Sequence, residues 1–520
     1  MDALSLRDQW QSLVSVATLG VARMPLPSDT AWPGSIDATI PGQTERTLLR
    51  LAAATVLWQL AGRRSPAWNV TEAAIAPVGE EPRAVSEEAA RRLVRMLAGE
   101  HSTFVPEWFS IAESAGLVLP PHWLPPVLDS LKADDVRRYA AVLGEAAAWL
   151  ATLNPAWHHR VVSTAPSEDR WLTGDAAERV AELTALRRTE PARARQWVEA
   201  SWQTDSAEDR ERFVRALFEG LSSEDESFLE AVLDDRRKEV RGAAVECLLK
   251  LPESAHASRM RDRVDPLISF TPGKRRLVLK PARPPLDVTL PVAPDKTAVR
   301  DGIVLKPSGR KATGEREFWL KQMVSAVAPA HWTTRFSCEP ASFVDATVAS
   351  DHGAALLEAL TAAAVRHRAV DWVDPLIAAW SNRDDEPSTG QAAGAIAGLF
   401  DVLPREAQQK ALAAWLSSLA EGTTALAMSV LTELPASWDE AVTSHAFERL
   451  RIACRRDTQG WSHPRTTLAS WAHHVDPAGA LSLASAALDQ CPEASPWRAA
   501  LQHLTEIVGF RADMHKELHS

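Results

Sequence analysis

The sequence predicts a mainly α fold, an irregular α-solenoid with a small β insert between two helical halves. Three observations carry this. From Thr204 to Pro252 three helix-length apolar patterns follow one another with very short breaks: Phe213, Val214, Leu217, Phe218 and Leu221; Phe228, Leu229, Val232 and Leu233; Val240, Ala244, Cys247, Leu248 and Leu251. Steps of three and four place each set on one helix face, and an amphipathic helix buries its stripe only against a neighbour. The same texture fills the chain on both sides of residues 253–316. Within that stretch proline and basic residues concentrate, and the runs LVLK, LDVTL and IVLK are short and β-branched.

In chain order, a first helix spans 5–20, ended by Gly20, and a loop runs from Pro25 to Gly42. A strongly apolar helix covers 45–61, another loop runs from Arg63 to Arg83, and Ser86 caps a helix over 86–98. Pro106 to Gly116 and a link punctuated by Pro120, Pro121, Pro125 and Pro126 lead to a helix near 134–153, stopped by Asn154-Pro155. Residues 175–188 and 191–203 form a pair, with Pro191 in a first turn. In the three-helix stretch Ser206 and Ser223 each precede an acid by three residues, which reads as capping boxes, and Pro252 ends the third helix. After the insert, helices are expected from Gly314 and then at 353–367, 374–381, 391–402, 406–420, 423–433, 437–454, 465–474, 477–490 and 495–508. Asp374-Pro375 and Asp476-Pro477 read as a cap followed by a first-turn proline, and the chain is expected to fray from Arg511. The division is therefore 1–133, an N-terminal helical region; 134–252, helical repeats; 253–316, a proline-rich basic β-ribbon or linker; and 317–520, C-terminal repeats. No fixed period is visible.

The turn from Asp234 to Arg241 resembles the inner turn of a HEAT repeat, in which an Asp and a Val-Arg pair recur, here as Asp235 and Val240-Arg241. Asp235 is expected to cap the following helix amides. Arg241 is expected to pair with an acid on a neighbouring repeat. The solenoid is on this basis HEAT-like.

Composition bounds the function. The chain has 57 basic and 68 acidic residues, a net charge of −11, which disfavours nucleic acid as the main partner. Residues 272–321 oppose this locally with 12 Lys/Arg against 5 Asp/Glu. Lys274, Arg275, Arg276, Lys280 and Arg283 are the interaction candidates there. Cys247, Cys338, Cys454 and Cys491 are scattered, with neither metal-site spacing nor a disulfide framework, which fits a reducing cytoplasm. The apolar runs Leu13–Ala22 and Leu48–Ala61 are too short to span a bilayer, so no membrane association is expected. Trp is abundant, 20 residues against one Tyr, and Trp149, Trp197, Trp202, Trp372, Trp380, Trp415 and Trp471 fall in helical patterns, as fillers between stacked helices would.

No catalytic, metal or cofactor site is legible. The pairs His158-His159 and His473-His474 lack an i,i+4 partner, and Ser308-Gly309-Arg310-Lys311 matches SxxK only within the basic insert. There is no Walker A motif. Gly390, Gly394 and Gly398 recur every four residues, which suits close helix packing rather than a dinucleotide loop. Asp225, Glu226, Glu230, Asp234 and Asp235 form an acidic run, read as a solvated face that lines one side of a groove.

The segments WLATLNPAW (149–157), PARARQWVEASW (191–202), DESFLEAVLDDRRKEVRGAAVECLLKLPES (225–254), GEREFWLKQMVSAVAPAHW (314–332) and DWVDPLIAAW (371–380) resemble an uncharacterised bacterial family of helical proteins. Ala147-Ala148 departs from the Arg-Gly pair usual there before Trp-Leu. The resemblance implies genes beside MoxR-type AAA+ ATPases, von Willebrand A-domain proteins and SWIM zinc-finger proteins. It implies a part in such a chaperone-like module and supplies no catalytic residues. The leading expectation is a non-enzymatic scaffold or adaptor for protein partners, possibly that ATPase and a von Willebrand A-domain protein. The alternatives are a nucleic-acid-binding HEAT-like protein using residues 272–321, or an enzyme whose site is assembled between repeats.

Overall fold

The structure is a computed structural model that describes residues 3–26, 43–61, 83–154, 156–157, 166–272, 286–306, 314–382, 389–434, 437–455 and 464–519. It is mainly helical with one small two-stranded sheet. Two compact units divide it, residues 1–81 and 82–520.

In the first unit, α1 (Ala3–Leu19) packs on α2 (Thr44–Ala61). Leu13 and Leu51 are buried, with Leu26, Leu48 and Ala52 against them.

The second unit begins with α3 (Glu87–Leu97), α4 (Val105–Ser114), α5 (Leu124–Ser130), α6 (Ala133–Arg138) and α7 (Ala140–Leu153). The proline link is thus largely helical. Pro106 and Pro125 sit in first turns, where the missing N–H has no intrahelical acceptor to lose. Next come α8 (Glu168–Thr173), α9 (Ala176–Thr189), α10 (Pro191–Ser201), α11 (Ala207–Ala216), α12 (Glu226–Val232), α13 (Lys238–Leu248) and α14 (Ala255–Val264). The three-helix stretch holds, although the second cap moves by one residue: Ser222, not Ser223, forms a capping box with Asp225. Helical structure then continues past Pro252 to Val264 because Ser254 accepts the Ala257 N–H at 3.2 Å and starts α14.

Strand β1 (Ile268–Phe270) pairs antiparallel with β2 (Leu286–Val288), Ser269 opposite Asp287, and α15 (Lys296–Arg300) follows. The LDVTL run therefore supplies a strand. IVLK at 303–306 does not form one, and LVLK lies outside the described residues. The remaining helices are α16 (Glu315–Ser325), α17 (Ala330–Phe336), α18 (Pro340–Val348), α19 (Gly353–Arg366), α20 (Val373–Ser381), α21 (Thr389–Val402), α22 (Arg405–Ser418) and α23 (Thr424–Glu433). They are followed by α24 (Glu440–Arg455), α25 (Pro464–Trp471), α26 (Pro477–Gln490) and α27 (Trp497–His519). Asp476 caps α26 as expected, whereas α20 starts at Val373 and encloses Asp374 in its first turn. The end does not fray at Arg511: α27 runs to His519 because Met514 and Leu518 are buried.

From α9 to α13 and from α18 to α26 helices pack on neighbours one and two places along the chain, whereas α16 packs on α19, three places along. α9 touches α10 and α11; α11 touches α13; α19 touches α20 and α21; α21 touches α23; and α24 touches α26. The last helix, α27, packs back on α3 and α4, so both ends of this unit share one core. Arginines, three of them buried and Arg368 exposed, tie helices by donating to carbonyls at a neighbour's C-terminus. Arg187 reaches Leu217 and Gly220 (3.1 and 2.9 Å), Arg368 reaches Asp401 and Val402 (3.1 and 3.0 Å), Arg449 reaches Leu419 (2.8 Å), and Arg511 reaches Val475 (2.9 Å). A helix C-terminus is short of donors and carries partial negative charge, so a guanidinium satisfies both needs. Most tryptophans fill interhelix space as expected; Trp149 differs, at 47% exposed. Gly398 lies against Val365, but Gly390 and Gly394 face no neighbour within 4 Å, so close packing does not account for that spacing.

Candidate functional site

Two grooves concentrate the polar side chains of the second unit. The first begins at the Asp235 turn. Arg179, Arg210 and Arg241 are each the fourth residue of their helices, α9, α11 and α13. Because those helices stack, the arginines fall in one row. Arg179 Nη1 donates to Asp205 Oδ1 at 2.8 Å, and Arg210 Nη1 donates to the Asp205 carbonyl at 2.8 Å. Arg210 Nε donates to Asp235 Oδ2 at 3.1 Å, and Arg241 Nη1 donates to the Asp235 carbonyl at 2.7 Å. The result is a ladder in which each turn aspartate receives one arginine on its side chain and the next on its backbone. Asp235 does not cap the helix amides as expected: its Oδ1 accepts the N–H of Arg237, the residue before α13, at 2.8 Å, and so fixes the turn ahead of the helix. The expected role of Arg241 is corrected: it holds its own turn, and Arg210 from the preceding layer makes the ion pair. Val240 is fully buried beneath this turn.

Beside the ladder, the insert is riveted to the helices through Asp301. Its carboxylate is almost fully buried and accepts from Arg259 (2.7 and 2.9 Å) and Arg263 (2.6 Å). Burial pushes this carboxyl up, but the hydrogen bonds from Arg259 and Arg263 outweigh it and hold it below the usual range. Arg300 grips Asp234 through two bonds of 2.6 and 2.9 Å, and donates to the Glu230 carbonyl at 3.0 Å. Gly302 makes this approach possible: its φ is +97°, and a Cβ there would come within 2.8 Å of Val245. His256, also buried, lies 2.9 Å from the Asp301 carbonyl. A carbonyl only accepts, so Nε2 carries the proton, and burial keeps the ring neutral by lowering its pKa. Between insert and turn lies a groove of about 460 Å³ lined by Asp234, Asp235, Arg241, Lys296, Arg300 and Leu305.

The acidic run is therefore not a row of free carboxylates. Asp225 binds Arg187 and Arg195, Glu226 accepts the Ala255 N–H, Glu230 binds Arg259, Asp234 binds Arg300, and Asp235 binds Arg210. Hydrogen bonds from Arg187 and Arg195 outweigh the burial of Asp225, and hydrogen bonding to Arg300 acts on Asp234, so both carboxyls lie below their usual range and are poorly placed to shuttle protons.

The second groove, about 890 Å³, is bordered by the turns before α14, α17, α18 and α20. His331 Nε2 lies 2.7 Å from Asp265, which Arg335 also engages. His367 lines the groove with Nε2 buried and without a hydrogen-bond partner among the described residues. Burial, helped by neighbouring Arg366, pushes its pKa down to about 4, so it is neutral at pH 7. Ser337 (φ 46°) and Arg368 (φ 50°) adopt left-handed backbone at adjoining turns, a conformation that packing must enforce in non-glycine residues. Cys338 lines this groove too, but burial raises its thiol pKa, the reverse of what a nucleophile needs.

Among the described residues no group of three or more His, Cys, Asp or Glu is placed to hold a metal ion, and no helix is long and apolar enough to cross a membrane. Lys274, Arg275, Arg276, Lys280 and Arg283 lie outside the described residues, as do His158-His159 and Ser308–Lys311. The sequence missed Arg179 and Arg210, whose signal was an arginine at the same place in three alternate helices, α9, α11 and α13. It also missed His331, His367 and Asp301, which carry no local signal because their partners are distant in the chain.

These features define a mainly α-helical protein with a small antiparallel β element, the first of its two grooves lined by the arginine-held acids Asp234 and Asp235. The chain belongs to a family of unknown function, DUF5691, which it matches over residues 12–518. No curated protein and no solved structure matches it.

Proposed function

We propose that this protein is a non-enzymatic interaction scaffold or adaptor, built as an irregular HEAT-like α-solenoid. In this reading it works in the bacterial cytoplasm, with a MoxR-type AAA+ ATPase and a von Willebrand A-domain protein as partners. The observation that carries the reading is the packing order: from α9 to α13 and again from α18 to α26 helices meet neighbours one and two places along the chain, with the Arg179–Asp205–Arg210–Asp235–Arg241 ladder aligning three layers of the first run. Repeated helical layers present long continuous surfaces suited to protein partners. The first groove adds fixed charges of both signs, which favours specific protein docking over phosphate binding. The partner assignment rests on the family resemblance.

The test is calorimetric titration of the purified chain with a MoxR-type ATPase, and separately with a von Willebrand A-domain protein, from the same organism. The expected result is saturable binding to at least one, with Kd on the order of micromolar or tighter. Sub-micromolar duplex binding at about 0.15 M salt, with no heat from either protein, would transfer support to the nucleic-acid reading.

A further inference from the structure

The insert beside the first groove displays four apolar side chains within one short stretch. Val292, Val299, Val304 and Leu305 are 81%, 39%, 54% and 45% exposed. The IVLK run at 303–306 is not a strand, yet its backbone is fixed. Ile303 is buried and its N–H donates to the Ala298 carbonyl at 3.0 Å. Gln322 of α16 accepts the Val304 N–H on Oε1 at 2.8 Å and donates from Nε2 to the Val304 carbonyl at 3.0 Å. Trp319 of the same helix donates from Nε1 to the Leu305 carbonyl at 2.9 Å. These side chains satisfy backbone groups that a neighbouring strand would otherwise take. Val304 and Leu305 are therefore held outward on an ordered backbone, which lowers the ordering cost of binding. Val299 and Leu305 continue into the groove, where Leu233 and Pro294 join them. The charges around this apolar floor are unequally committed. Asp234 is held by Arg300, and Asp235 by Arg210 and the Arg237 N–H. Asp295 Oδ1 accepts from the Ala298 N–H and the Thr297 hydroxyl, both at 2.8 Å. By contrast Arg241 bonds only the Asp235 carbonyl, and Lys296 is exposed with no partner among the described residues. Lys306, next to Leu305, is likewise exposed and without a carboxylate. An incoming carboxylate finds free donors here, whereas an incoming ammonium or guanidinium finds acids already engaged.

We infer that this groove docks a segment of a protein partner in which apolar side chains are flanked by Asp or Glu. This docking role rests on the scaffold reading and specifies the chemistry of the partner. The partner's apolar side chains cover Val299, Val304 and Leu305, removing them from water. Its carboxylates pair with Lys296 and Arg241 at the edge of the covered patch, which fixes register and rejects basic segments. A phosphate-bearing ligand would use the same donors but leave the apolar side chains in water, so it fits the surface less well.

The experiment selects a random dodecapeptide display library on the immobilised full chain, with counter-selection on Lys296→Glu and on Leu305→Asp. Circular dichroism and melting check the fold of each variant; if Leu305→Asp disturbs it, Lys296→Glu, a charge reversal at an exposed position, decides alone. The expected peptides are enriched in Asp or Glu beside Leu, Ile or Phe. A synthetic copy of one is expected to bind the wild type, to bind each variant at least about tenfold more weakly, and to lose affinity as salt is added. Enrichment of basic or uncharged peptides, equal retention by the variants, or no enrichment would overturn the proposal. Self-association of the wild type that both variants lose, without acidic-apolar enrichment, would also overturn it and assign the surface to a second copy of the chain. The scaffold reading is separable. If no such peptide is selected but a MoxR-type ATPase or a von Willebrand A-domain protein binds wild type and variants equally, the groove is refuted and the scaffold stands. If peptides are selected and neither protein binds, the groove stands and the partner assignment falls.

Discussion

Replacing Val240 by aspartate puts a carboxylate where the structure has only apolar neighbours. Val240 is fully buried, in a cluster with Val214, Leu217, Leu229, Val232, Leu233, Ala243, Ala244, Cys247 and Leu248. Loss of the valine side chain from this core costs roughly 1.5–3 kcal/mol. An unpaired buried carboxylate adds a penalty of several kcal/mol, which the protein reduces by keeping it protonated. The expected loss at pH 7 is about 4 kcal/mol or more. Val240→Ala, which removes two carbon groups and adds no charge, should cost about 1.6 kcal/mol plus a cavity contribution. The difference between the two variants isolates the charge. Its pH dependence has a fixed sign: burial raises the folded-state pKa of the new carboxyl above about 3.9, so the charge penalty is absent below that pH. It grows by about 1.4 kcal/mol per pH unit until the folded-state pKa is passed. Urea unfolding followed by far-ultraviolet circular dichroism is the assay, since this cluster sits among stacked helices. A Val240→Asp loss below about 1 kcal/mol, or one independent of pH between about 4 and 7, would refute the packing described for this turn.

Three further outcomes are expected. Asp225→Ala leaves Arg187, fully buried, and Arg195 without their shared carboxylate and should cost about 3–5 kcal/mol by chemical denaturation, whereas Arg187→Met with Asp225→Leu should cost less than the sum of the single changes. Burial pushes the Glu107 carboxyl up, but hydrogen bonds from His515 and Arg511 overcome this and hold it at about 2, tying α4 to α27. A depressed carboxyl stabilises fully above its unfolded pKa, near 4.3, and progressively less as pH falls toward 2; Glu107→Gln should therefore cost on the order of 2–3 kcal/mol at pH 7, discounting partial exposure, and almost nothing at pH 2, read as melting temperature against pH. Neutralising Lys274, Arg275, Arg276, Lys280 and Arg283 should slow association with an acidic protein partner and leave duplex binding weak at about 0.15 M salt; a steep log–log salt slope in the wild type, lost in the variant, would contradict this.

Local periodicity made the helical texture legible, because apolar stripes and Ser or Asp caps act within one or two turns. The Val240 face was readable for that reason. Features set by distant partners were not. Arg511 and Leu518 read as a fraying tail until α3 and α4 covered them, and Arg241 read as an interlayer ion pair although its own turn carbonyl was nearer. Pro125 read as a link although a first-turn proline is compatible with a helix. The grooves were the least legible: Asp301 meets Arg259 from 42 positions away, and His331 meets Asp265 from 66. Only the topology brings those residues together.

Hydrogen–deuterium exchange of the full chain, alone and with the MoxR-type ATPase or the von Willebrand A-domain protein, tests the scaffold reading most directly. The account predicts slowed exchange in a contiguous surface at one of the two grooves, 234–241 with 294–305 or 328–340 with 367–372, and unchanged exchange in the buried helices. Unchanged exchange at both grooves with both folded proteins in excess would contradict it.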